Sequence, residues 1–128
     1  KQLALEAQVE LEQKEKEAAR VALVGADGNA GKIITAIDAT IGAFGDGAGH
    51  SVGDSITLAD IATFTTTTHL FSGFFDGLDI SMLTAWPNIQ AVRKAVSNHP
   101  DVTKYYDEGA GTKMPDGQLA SFKSARDL

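Results

Sequence analysis

A glycine-rich segment near the start of the chain carries residue types that bind phosphate. Residues 25–32 are Gly-Ala-Asp-Gly-Asn-Ala-Gly-Lys, and glycines before a lysine can aim backbone N–H groups at phosphate oxygens. A phosphate-binding loop of this type needs glycine at position 26 and Ser or Thr after the lysine, but the chain has Ala26 and Ile33 there. The segment therefore predicts a turn between two helices rather than a nucleotide site.

Two other ligand motifs fail on spacing. Asp27 and Asn29 open a pattern similar to a calcium loop, but the glycine falls at the fifth place instead of the sixth and the twelfth residue is Asp38. The segment from Gly45 to Gly49 lacks the third glycine of a dinucleotide-binding loop, because His50 stands in its place. Neither segment predicts a bound ion or cofactor.

The side chains that could act as acids, bases, nucleophiles or metal ligands are scattered. His50, His69 and His99 lie on three separate elements without a ligand-type partner four residues away, which argues against a metal site. His69 falls on a predicted helix and is interpreted as a hydrogen-bonded core or rim residue rather than an acid–base group. The chain has no cysteine, and no serine occupies a nucleophile elbow. The sequence thus assigns no catalytic, cofactor-binding or metal-ligating residue.

The composition is that of one folded domain. The chain has 128 residues, 43% of them hydrophobic and 22% charged, which is close to the average for globular proteins. Its formal net charge of −6 argues against a broad electrostatic contact with nucleic acid. No apolar run reaches the length of a membrane span, so no membrane-spanning segment is expected.

The first two predicted helices are amphipathic. Residues 3–23 contain no Gly or Pro and predict one helix, which is expected to pack on a neighbour through a thin apolar face. Residues 33–44 predict a second helix that carries much of the core. The expected apolar positions are Leu3, Ala7, Leu11, Ala18 and Ala22, with Leu5 and Val9 alongside, in the first helix, and Ile33, Ile34, Ile37, Ile41 and Phe44 in the second.

The sharpest local signal is a helix start at Thr57. Thr57 can cap the first free N–H groups, Asp60 can reach back to the Thr57 N–H, and Ile56 can pack on Ile61 as a hydrophobic staple. The helix that begins there is predicted to run to about Phe71. Its four consecutive threonines, residues 65–68, favour a buried central helix held by tertiary packing, because β-branched residues are poor choices for an exposed helix.

The remainder of the chain predicts short helices and then a tail. Residues 78–83 form a helical or irregular connector, and Pro87 and Pro100 are well placed to open two further helices. From residue 109 the helical pattern ends, which predicts a C-terminal extension over 109–128. The expected fold is an all-α bundle of five to six helices over residues 1–108.

The segment Val-Gly-Asp-Ser-Ile-Thr-Leu-Ala-Asp-Ile-Ala, residues 52–62, resembles the hallmark of the C-terminal helical domain of cytosolic glutathione transferases. The capping threonine and aspartate of that family correspond to Thr57 and Asp60, and its staple corresponds to Ile56 and Ile61. Two later segments, residues 86–89 (Trp-Pro-Asn-Ile) and 99–102 (His-Pro-Asp-Val), resemble the openings of the family's next two helices.

The resemblance implies a cytoplasmic protein in which a thioredoxin-like domain precedes the helical one and supplies the glutathione pocket. None of that domain is in this chain, so no catalytic residue carries over. Glutathione is expected only as the co-substrate of a full-length enzyme, and the chain alone is expected to bind no cofactor. The helical domain would shape the electrophile pocket and an interface with the thioredoxin-like domain or a homodimer partner. The alternative is a non-catalytic module that docks in a larger protein assembly, and whether the full protein is an enzyme stays open.

Overall fold

The computed structural model describes residues 1–108, and the predicted all-α fold is confirmed over them. The predicted extension 109–128 lies outside the described residues. Five α-helices and one 3₁₀ helix, which lies between α3 and α4, follow in chain order: α1 Gln2–Val24, α2 Asn29–Phe44, α3 Leu58–Phe71, the 3₁₀ helix Ile80–Ala85, α4 Pro87–Ser97 and α5 Pro100–Glu108.

The core lies between α3 and α4. Helix α4 also packs on α2, and the 3₁₀ helix closes one side of the same core. Pro87 occupies the first turn of α4, as predicted, where its missing N–H has no intrahelical partner to lose. The most deeply buried apolar side chains are Phe64, Phe71, Leu83, Ile89, Val92 and Val96.

A fully buried arginine accounts for two of the four consecutive threonines in α3, whereas Thr65 and Thr66 are exposed, contrary to the prediction of a buried run. The Arg93 guanidinium, on α4, donates to the hydroxyls of Thr67 at 2.7 Å and Thr68 at 2.8 Å and to the Phe64 carbonyl at 3.2 Å. It also lies 5.3 Å from the centre of the Phe64 ring. Burial lowers the pKa of Arg93 to about 10, so the side chain keeps its charge at neutral pH. Thr67 and Thr68 therefore serve as acceptors inside the core.

Asp38 joins α2 to the start of α4. One carboxylate oxygen accepts from the backbone N–H of Ile89 at 2.9 Å, and the other accepts from the Asn88 side chain at 3.0 Å. The side chain of one helix thus satisfies a free donor in the first turn of another, where the helix dipole also favours a negative charge. This contact fixes α2 against α4.

The apolar face predicted for α1 does not pack on the body of the domain, so that prediction is wrong. Val24 alone is buried among residues 1–24, and the side chains that lie half-buried against the body are Gln13, Glu17 and Arg20. The cause is the close approach of α1 and α2 at their connection, where a side chain on Gly28 or Gly31 would collide with carbonyls of residues 22–25. The two helices therefore meet at the C-terminal end of α1, and its first half extends beyond the body.

The prediction for α2 holds only in part. Ile34 and Ile41 are buried as expected, but Ile33 is 62% exposed, Ile37 is 43% exposed and Phe44 is 72% exposed. The buried face of α2 contains Asp38 because that carboxylate has to reach the start of α4. The other apolar positions consequently face outward.

Asp60 organises the turn that leads into α3. Its side chain is fully buried and accepts from the Thr57 N–H at 2.8 Å, from the Thr57 hydroxyl at 3.1 Å and from the Ser51 N–H at 2.8 Å. Thr57 and Asp60 form a capping box at this helix start. Ile56 packs against the core, while Ile61 is 45% exposed. Burial raises the pKa of Asp60, but the hydrogen bonds from Ser51 and Thr57 outweigh it and lower that pKa below 3.8.

We expect Thr57→Ala to lower the free energy of unfolding by about 0.5–2 kcal/mol, because it removes a helix cap. Asp60→Ala, as a separate variant, is expected to lower the free energy of unfolding by about 1–3 kcal/mol, because it leaves the buried N–H donors of Ser51 and Thr57 without an acceptor. Urea melts followed by the fluorescence of Trp86, the single tryptophan, measure both.

The matched control is Asp54→Ala, in the same turn but exposed, which should leave the midpoint unchanged. Because the pKa of Asp60 is lowered on folding, its contribution is present above about pH 4 and is lost as pH falls through the lowered pKa. Equal stability of Thr57→Ala, Asp60→Ala and Asp54→Ala would show that the capping box does not hold this turn.

Candidate functional site

The first half of α1 forms one wall of an open cleft of about 800 Å³. Its two apolar lining residues are Leu5, which is 71% exposed, and Val9, which is 61% exposed. We call this the overhang cleft, because within residues 1–108 its wall comes from the start of the chain alone. The lining residues are Lys1, Gln2, Leu5, Glu6, Val9, Glu10 and Gln13.

A second apolar surface lies between α2 and α3. This α2–α3 groove has a volume of about 460 Å³ and includes the outward-facing residues of α2 that were predicted to be core. Ser51 and Val52, from the turn before α3, also contribute to it. The lining residues are Ile33, Ala36, Ile37, Thr40, Ile41, Phe44, Ser51, Val52, Ala59 and Thr63.

His69 lies exposed at the end of α3 beside two aromatic rings. Its ring centre is 5.3 Å from that of Phe74 and 5.5 Å from that of Phe75, and the two phenylalanine rings are 5.1 Å apart. Phe74 is 50% exposed, whereas Phe75 packs against the core. His69 is thus a rim residue among aromatic side chains.

The structure pairs His50 with Asp46, which the sequence analysis missed. The His50 Nδ1 lies 2.6 Å from an Asp46 carboxylate oxygen, and Asp46 also accepts from the backbone N–H groups of Ala48 and His50. The hydrogen bond to His50 lowers the pKa of Asp46 to about 2, and the same bond raises the pKa of His50 above 6.5. The four-residue spacing was visible in the sequence, but it crosses a glycine turn and not a helix.

The structure places the predicted structural residues together and away from the overhang cleft. Ile56, Thr57, Asp60 and Ile61 surround the start of α3, and none of them lines that cleft. Over residues 1–108, no group of three or more His, Asp or Glu side chains is arranged to hold a metal ion. None of the helices described is long and apolar enough to cross a membrane.

Comparison with protein-family models shows which family the chain belongs to. A family model described as "Glutathione S-transferase, C-terminal domain" matches residues 5–109. The chain belongs to this family. No curated protein and no solved structure gives a significant match.

The resemblance that residues 52–62 carried is therefore confirmed. In full-length enzymes of the family glutathione is the substrate. The match extends over nearly all of this glutathione S-transferase C-terminal domain as the structure describes it, and from residue 5 onward it includes most of α1, with Leu5 and Val9. What the overhang cleft offers chemically is two exposed apolar side chains, Leu5 and Val9, among polar and charged ones.

We expect His50 to titrate above 6.5, because the Asp46 carboxylate stabilises its protonated ring. Asp46→Asn should return the pKa towards 6.5, as measured by NMR titration of the ring protons. The ion pair is present below the ordinary pKa of histidine and is lost as pH rises through the raised value.

The control for this titration is Asp54→Asn, which removes a charge whose effect on His50 is smaller. It should lower the pKa of His50 by less than Asp46→Asn does. An identical pKa in the wild-type chain and Asp46→Asn would contradict the pairing.

Proposed function

We propose that this domain is the helical half of a glutathione transferase-like protein and that the overhang cleft supplies the apolar wall of its electrophile pocket. The observation that carries the proposal is the cleft itself, in a chain of this family. Leu5 and Val9 give it exposed apolar side chains of the kind that line small-molecule sites. Gln13 and Glu10 also line it and supply polar groups.

The proposed chemistry divides between two domains. A thioredoxin-like domain would bind glutathione and stabilise its thiolate, and the helical domain would hold a small electrophile against it. With an aryl halide, the sulfur forms a bond to the ring carbon and halide leaves with the electron pair of the broken bond. Glutathione is the co-substrate in this scheme, and this domain contributes position and exclusion of water.

A second candidate function is a non-catalytic docking module in a larger assembly. The observation that favours it is the α2–α3 groove, whose exposed Ile33 and Phe44 belong to a surface separate from the overhang cleft. The two functions differ in the full-length protein. The enzyme would turn over glutathione and an electrophile, whereas a docking module would show no turnover and would depend on the groove for assembly.

We expect the isolated 128-residue chain to show no conjugation of glutathione. The reaction first requires a preorganised donor that lowers the pKa of the glutathione thiol, and in the proposed scheme the thioredoxin-like domain supplies that donor. A steady-state assay with an aryl halide measures it. Saturable turnover by the purified chain would contradict the division of labour between the domains.

We expect Leu5→Ser to raise the KM for the electrophile by a factor of about 10–100 in a full-length protein that joins this domain to a thioredoxin-like one. A leucine side chain in contact with an apolar ligand contributes about 1.5–3 kcal/mol, and about 1.4 kcal/mol is a factor of ten. Because Leu5 is exposed in this chain, its replacement should leave the unfolding midpoint of the domain unchanged.

The matched control is Leu3→Ser. Leu3 lies at the same end of α1 and is 81% exposed, but it does not line the overhang cleft. Its replacement should leave the KM unchanged. Equal effects of Leu3→Ser and Leu5→Ser would contradict a pocket on this face of the helix.

A further inference from the structure

Helix α1 contacts the loop after α3 through polar groups. Leu5, Val9 and the other apolar residues of its first half are exposed. The first fully buried side chain is Val24, near the connection to α2. Between these two regions, the half-buried side chains of Gln13, Glu17 and Arg20 face the loop 73–78. The direction in which the first half leaves the body is therefore set in this middle region.

Asp76 makes two hydrogen bonds to α1. Its carboxylate accepts from the Gln13 side-chain amide at 2.9 Å, and its backbone carbonyl accepts from the Arg20 guanidinium at 3.0 Å. Gln13 also donates to the Glu17 carboxylate at 3.1 Å, which holds its amide in place. The two contacts to Asp76 are seven residues apart on α1, or about two turns, so together they define an angle as well as a position.

Gly77 brings the loop against the backbone of α1. Its φ is +90°, a conformation that L side chains rarely adopt. A β-carbon at this position would lie 2.9 Å from the Glu17 β-carbon and 3.1 Å from its carbonyl oxygen. The loop can therefore present Asp76 to α1 only because residue 77 is glycine.

We propose that these contacts act as a clasp that positions the overhang cleft, with Asp76 as the positioning residue. Gln13 belongs to both structures, since it lines the cleft and donates to Asp76. A change at Asp76 thus alters where Leu5 and Val9 stand without touching either side chain. The consequence for electrophile binding rests on the proposed function, whereas the mechanical role of the clasp does not.

The clasp contributes to orientation more than to folding. Its hydrogen bonds are exposed, where water competes for the same donors and acceptors, so their loss should leave the core intact. Helix α1 would stay helical and stay joined to α2, but its first half would sample a wider range of directions.

Spin-label distance measurements test the clasp directly in the full 128-residue chain. The chain has no cysteine, so Leu3→Cys on α1 and Lys94→Cys on α4, both exposed, give two unique labelling sites. We expect Asp76→Ala to widen the distance distribution at least twofold. Asp76→Asn should restore the original width, because its amide oxygen still accepts from Gln13. Gln13→Ala and Gly77→Ala should each widen the distribution as well.

The matched control is Asp27→Ala, an exposed aspartate at the α1–α2 connection. Its distribution should equal that of the wild-type chain, and the variants at Asp76, Gln13 and Asp27 should keep the urea midpoint reported by Trp86, whereas Gly77→Ala should lower it because of its positive φ. Unchanged widths in both Asp76→Ala and Gly77→Ala, or equal widening in Asp27→Ala, would overturn the proposal.

Kinetics in the full-length protein separate the clasp from the function. Asp76→Ala should raise the KM for the electrophile at least threefold and leave the KM for glutathione and kcat unchanged, with Asp76→Asn restoring the wild-type value. A widened distribution with an unchanged KM for the electrophile would overturn the role of the clasp in the pocket. An inactive wild-type full-length protein would contradict the proposed function instead, and the spin-label result would still decide on the clasp.

Discussion

The buried carboxylate of Asp60 accepts two backbone N–H groups that lie on either side of a turn, one from Ser51 and one from Thr57. A buried charge is tolerated only when its acceptor positions are filled, so the turn and the start of α3 have to form together. The position of α3 then determines where α4 packs, because Arg93 of α4 must find its acceptors on α3. Asp38 repeats this arrangement between α4 and α2. Each helix of the core is thus placed by a charged group that another segment satisfies.

No buried charged group of this kind fixes helix α1 among the contacts described. The helix is joined to α2 through close glycine contacts and to the loop after α3 through the exposed hydrogen bonds of Asp76. Its first half keeps Leu5 and Val9 exposed on one wall of a cleft. A rigid core that carries a more weakly fixed apolar wall suits a domain that meets another domain and a small ligand at the same place.

Much of the fold was predictable from local chemistry, and the parts that were not depend on distant contacts. The helix start at Thr57 and the opening of α4 at Pro87 follow from residues within a few positions of each other, and the structure places both helices there. The inward face of α1 could not be predicted, because the glycine contacts with α2 and not the apolar content of α1 select it. The role of Asp38 was also hidden, since a carboxylate in an apolar stripe gives no sign of the helix start it will cap. The contact of Gln13 with Asp76 joins residues 63 positions apart, which no local pattern encodes.

We propose that the outer half of α1, whose Leu5 and Val9 are exposed in the described part of the chain, is a contact face. Hydrogen exchange of the α1 amides in the isolated chain, shown to be monomeric, tests it most directly. We expect fast exchange over residues 5–12 and slow exchange around Val24, with the outer residues becoming protected in the full-length protein. Slow exchange along the whole of α1 in the isolated monomer would contradict the claim.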